Sequence, residues 1–163
     1  MKTLRLQKMC GLFLMAALAF PAGCAKQPAD ASTTPHKHEH KPPHGGTPVV
    51  LGNEIYHVEL VRDTTAGKLQ AYLFDGELEN FIRSNAPAFT IDAVVNGAPQ
   101  TLVLRAVPNP ATGETVGDTS LFEGQAEWLK TTPNFDAVLE SLTIRGTSFT
   151  NVKFNFPNGN DHD

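Results

Sequence analysis

From Val49 to Phe156 apolar residues recur at alternate positions, in short runs that stop at Gly, Asn or Asp. A period of two sends successive side chains to opposite faces of a strand, and no stretch repeats at the helical period for three turns. The chain is therefore committed to β-structure. Val49-Val50-Leu51 leads through Gly52-Asn53 to Ile55–Val61, where Tyr56, Val58 and Leu60 share one face and His57 and Glu59 the other. With Gly52-Asn53 as the turn, His57 falls opposite Pro48 and reads as a half-exposed strand histidine. Leu69–Phe74 ends at the turn dipeptide Asp75-Gly76, and Leu78–Arg83 reads as a short edge strand.

The cleanest hairpin signal is Asn96-Gly97. It joins Phe89–Val95, with Phe89, Ile91, Ala93 and Val95 inward, to Thr101–Val107, with Leu102, Leu104 and Ala106 inward. Residues 108–118 form a turn-rich loop, and Ser120–Trp128 a strand bulged at Gly124. Phe135–Leu139 reads as strand or helical turn, with strand favoured. Leu142–Arg145 and Phe149–Phe156 close a last hairpin with Val152, Phe154 and Phe156 in the core. The expectation is an all-β domain over residues 45–158, an antiparallel immunoglobulin-like β-sandwich of about eight strands. It lacks the Cys…Trp…Cys pattern of true immunoglobulin domains. Residues 159–163 read as a polar tail.

Ahead of this domain the character changes. Lys2, Arg5 and Lys8 form a basic n-region, and Gly11–Phe20 an apolar run shorter than the roughly 20 residues of a spanning helix. Ala22-Gly23-Cys24 resembles the lipobox of bacterial lipoproteins, with Pro21 where an aliphatic residue is usual. Residues 1–23 are then a lipoprotein signal peptide and Cys24 the acylated, palmitate-bearing residue. Cleavage after Ala17-Leu18-Ala19, giving a soluble secreted form, is the alternative. Cys10 would leave with the leader, and acylation accounts for a lone remaining thiol. Ala25 after the Cys resembles outer-membrane sorting, so the expected location is the cell envelope, anchored to the outer membrane and facing the periplasm.

The whole chain has 13 basic and 17 acidic residues. Removal of residues 1–23 takes away three basic residues and no acid, leaving ten against seventeen and a net charge of −7 with histidine neutral. Such a surface excludes nucleic acid as a partner, since phosphate neutralisation needs clustered Lys and Arg.

Residues 24–44 carry almost no large apolar side chain and read as a disordered His-rich tether. His36, His38 and His40 alternate, and His44 follows after Pro42-Pro43. Alternate side chains of an extended chain lie about 6.5–7 Å apart at Cα, and imidazoles on a flexible segment can converge on one ion at about 2.0–2.1 Å. These four histidines are the expected metal ligands, for exchangeable zinc, copper or nickel. A joint site of His44 with His57 would need residues 44–46 to fold back onto the sheet.

Pro43-His-Gly-Gly-Thr-Pro-Val-Val-Leu-Gly52, Tyr56–Leu60 and Leu69–Leu73 resemble a periplasmic β-domain near the N-terminus of adaptor (membrane-fusion) subunits of heavy-metal efflux pumps. A similar domain occurs in free-standing bacterial lipoproteins of unassigned function. The coiled-coil hairpin and lipoyl-like segments of a full adaptor are absent from this sequence. The resemblance implies a small β-domain behind a His-containing leader.

Gly-x-Ser-x-Gly, His-Glu-x-x-His and phosphate-cradling glycine motifs are all missing, so no catalytic residue is assigned and the chain is not expected to be an enzyme. Glu114 and Asp118 read as solvated turn residues. Two function classes stand: an envelope lipoprotein that binds or buffers divalent metal through the tether, or an interaction module docking on an envelope protein with the tether as spacer.

Overall fold

A computed structural model describes residues 41–161. The expectations for the leader, for Cys24, His36, His38 and His40, and for most of the tether lie outside the described residues. Eight antiparallel strands account for the fold: β1 (Thr47–Leu51), β2 (Tyr56–Asp63), β3 (Lys68–Asp75), β4 (Ala88–Val95), β5 (Ala98–Ala106), β6 (Leu121–Gln125), β7 (Phe135–Ile144) and β8 (Thr147–Phe156). One helical turn, α1 (Trp128–Thr131), lies between β6 and β7.

The class is as expected, all-β and antiparallel. The strands belong to one continuous sheet in the order β1-β2-β3-β6-β5-β4-β7-β8, rather than to the two separate sheets of an immunoglobulin sandwich. The sheet curls until it nearly closes, enclosing Leu60, Leu73, Ile91, Leu104, Phe122, Leu139 and Ile144, all at most 1% exposed. Leu129 of α1 is also fully buried in this core.

The β1–β8 seam is closed by a side chain. The Asn160 amide accepts from the Val50 N–H at 2.7 Å and donates to the Val50 carbonyl at 3.1 Å, copying the two bonds of a strand residue. Gly159 reaches this position with φ +79°, and a Cβ there would lie 2.2 Å from the Pro48 carbonyl oxygen. The Thr47 hydroxyl donates to the Pro157 carbonyl at 3.1 Å. The first residues of the expected polar tail are thus part of the fold.

Three local differences from the sequence reading have physical reasons. The β1–β2 turn takes four residues, 52–55, so Leu51 pairs with Tyr56, and Glu59 rather than His57 stands opposite Pro48. Residues 78–83 do not form a strand; single bridges, Phe74 to Phe81 and Ser84 to Thr119, pin this segment across the sheet. Gly124 is no bulge but a regular partner of Leu69, and its missing Cβ admits the Val103 carbonyl.

β7 runs unbroken through the residues that read ambiguously. Its buried positions shift phase between Leu139 and Leu142, where the facing Asn151 takes φ +54°. The hairpin kinks there and turns Leu142, Ile144 and Phe149 inward. A change of phase within one strand imitates two elements in the sequence.

Candidate functional site

Period two assigns His57 and Glu59 to the outer face of β2, where His57 reads as half-exposed. Both are buried, at 1% and 0% exposure. On this outer side of the sheet, segment 76–83 lays the Phe81 ring on Phe74, centroids 4.6 Å apart. His44, expected at the end of the disordered tether, and Gly45-Gly46, at the start of the expected domain, cover Glu59. Gly46 is close-packed here, since a Cβ would sit 2.6 Å from the Leu60 carbonyl oxygen.

Glu59 organises this cover. Its Oε1 accepts the backbone N–H groups of His44 and Gly46, both at 2.8 Å, and its Oε2 lies 2.7 Å from His44 Nδ1. The His44 imidazole stacks on Tyr72, with centroids 3.9 Å apart and planes 15° apart, and leans on Phe74 and Phe81 at 6.1 Å. Glu59 and Tyr72 thus hold the ring, with Phe74 and Phe81 near it, while the side chain stays 34% exposed. A carboxylate only accepts, so the neutral imidazole donates from Nδ1, and its Nε2 keeps a lone pair with no partner among the described residues. Carboxylate, imidazole and an open lone pair are the arrangement in which a metal-binding histidine is held from behind.

His44 and His57 do not meet. His57 stands opposite Val50 and Phe74 in the sheet, with Nδ1 3.3 Å from the Asp75 carbonyl oxygen. Among the described residues no group of three or more His, Cys, Asp or Glu is placed to hold a metal ion, and no helix is long and apolar enough to cross a membrane. His44 is the one candidate ligand whose setting the described residues reveal.

Beside the imidazole lies a cleft of about 310 Å³, lined by Tyr72, Phe81, Arg83, Asn109, Thr112, Glu114, Ser120 and Leu121. Glu114 is a buried member of it, not the solvated turn residue its loop suggested. Its carboxylate takes the Ser120 N–H at 3.0 Å, the Ser120 hydroxyl at 2.7 Å and the Thr112 hydroxyl at 2.9 Å. Burial pushes this carboxyl up, but those bonds and the nearby Arg83 charge outweigh it and hold the group below the ordinary glutamate value. Burial, with Glu123 and Glu59 nearby, raises the Tyr72 phenol, which stays a donor near neutrality.

The depressed Glu114 carboxyl makes a pH prediction. Its contribution to stability is fully present above the unfolded glutamate value of about 4.3 and is lost as pH falls through the lower folded value. Urea unfolding followed from neutral to acid pH should therefore lose stability more steeply in the parent than in Glu114→Gln. Parallel profiles would contradict this assignment.

Sequence reasoning found His44 but missed Glu59 and Glu114. The available signal for Glu59 was an acid between apolar neighbours, one strand away from a His-Gly-Gly turn; it pointed to no partner until the register was known. No family model matches this chain, and no curated protein or solved structure does either.

Proposed function

We propose that this protein is a cell-envelope lipoprotein, anchored through Cys24, that binds or buffers divalent transition metal. His36, His38 and His40 supply exchangeable ligands from the tether, and His44 supplies a fixed one. The observation that carries the reading is the Glu59–His44 pair, which presents a bare Nε2 at the point where the His tract joins the sheet. Borderline metals such as zinc, copper and nickel suit imidazole nitrogen. The resemblance to efflux-adaptor domains points the same way, toward metal handling in the periplasm.

A docking role has its own support. The outer face of β4, β7 and β8 carries a depression of about 340 Å³ that includes Val94 and Val138, and Val94 is 53% exposed. An envelope protein could seat there, with the tether spanning distance.

Calorimetric titration separates the two. The mature chain should bind zinc, copper(II) or nickel in the micromolar range, about −8 kcal/mol. Changing His36, His38, His40 and His44 together to Ala should abolish stoichiometric binding. Because imidazole must be neutral to coordinate, affinity should fall as pH drops through about 6.5. Equal binding by parent and four-Ala chains would leave the tether a spacer and favour docking.

A further inference from the structure

We propose that the cleft beside His44 binds a neutral, hydroxyl-rich ring, that is, one unit of a carbohydrate. This goes beyond the metal reading and does not depend on it. The floor is aromatic. Phe81 is 54% exposed, and because its inner face is fixed on Phe74, the other face is left to solvent. Tyr72 stands beside it with ring centroids 6.4 Å apart, braced from behind by His44. The two rings, held by packing with their planes tilted by 46°, flank the cleft with apolar surface. The outer face of Phe81 is the one on which the C–H face of a sugar can rest.

The rim supplies donors and acceptors together. Asn109 Oδ1 is engaged by the Ala111 N–H at 3.1 Å, while its Nδ2 has no partner among the described residues. Glu114 Oε2 takes only the Thr112 hydroxyl, so lone pairs remain on both oxygens of that contact. A hydroxyl group both donates and accepts, and it can satisfy such a mixed set.

Charge decides against an anion. Arg83 is the cation in the cleft, and its charge is already matched by Asp118 and Glu114. Its Nη1 donates to Asp118 at 2.9 Å, its Nη2 to the Thr112 carbonyl at 2.7 Å, and its Nε faces Glu114 at 3.6 Å. Two carboxylates on one guanidinium leave the local balance negative, which repels phosphate or carboxylate. The volume of about 310 Å³ lies at the small end of ligand pockets and suits one ring.

The test is amide NMR of the ¹⁵N-labelled chain titrated with cellobiose, maltose, N,N′-diacetylchitobiose and, separately, inorganic phosphate. At least one disaccharide should shift the amides of Tyr72, Phe81, Asn109 and Thr112 saturably, with a Kd on the order of 1 mM. Phe81→Ala and Asn109→Ala, both at exposed side chains, should each weaken that binding at least about tenfold while the remaining spectrum stays folded. Should either variant lose its folded spectrum, Phe81→Leu and Asn109→Asp take its place. The proposal is overturned if no disaccharide moves these amides, if both variants bind as the parent does, or if phosphate moves the same amides as strongly.

Discussion

Glu59→Gln is expected to leave the sheet folded and to silence the outward nitrogen of His44. The amide oxygen can still accept the N–H groups of His44 and Gly46, while the new NH₂ replaces the oxygen that faces Nδ1. An amide NH₂ only donates, so Nδ1 must accept and the ring proton moves to Nε2. The lone pair offered to a metal is then gone. Loss of a group that holds a ligand from behind typically costs 10–100-fold, so metal affinity should fall by about that factor. Long-range ¹H–¹⁵N NMR of the His44 ring should report the change of tautomer directly. Glu59→Ala is a harsher change, because it removes all three bonds. Bonds to a charged group contribute about 1.5–3 kcal/mol each, and relief from burying the charge offsets part of that, so a net loss of about 2–4 kcal/mol is expected. An unchanged tautomer in Glu59→Gln, with unchanged affinity, would remove Glu59 from any role in metal binding.

The second large effect belongs to the core. Phe122 on β6 is fully buried, pairs with Ala71 and Ala106 across the sheet, and meets Phe89 edge-on at 5.2 Å. Its neighbours on both adjoining strands are alanines, so little side chain is at hand to fill the space left behind. Phe122→Ala should therefore cost about 3–5 kcal/mol, the range for emptying an aromatic site in a core. Phe81→Ala, on the outside, should cost about 1 kcal/mol, near the value of one aromatic pair. Urea midpoints of the two variants measure the contrast. Similar losses would mean that the outer aromatic layer is as essential to folding as the core.

The sequence reading succeeded where a side chain's face alone decides its fate. Phe89, Ile91, Ala93, Val95, Leu102 and Leu104 alternate inward as read, and Asn96-Gly97 makes the β4–β5 turn. It failed where burial depends on what covers the outer face. His57 and Glu59 lie on the face that alternation assigns to solvent, yet both are buried, Glu59 beneath residues 44–46. The four-residue turn after Leu51 moved the β2 partners by two positions and exchanged Glu59 for His57 opposite Pro48. Loop length is set by local backbone conformation, here Gly52 at φ +66° and Glu54 at φ +55°, which periodicity does not report.

The clasp of Asn160 on Val50 also determines how the fold would carry load. A pull on the chain ahead of residue 41 first strains the bonds from His44 and Gly46 to Glu59, and then reaches β1. An edge strand held on one side unzips, one hydrogen bond after another. Here β1 is gripped by β2 along one side and, through the Asn160 amide, by the chain beyond β8 on the other. Peeling it away must break both grips, so tension entering at one end of the domain is shared with the other end.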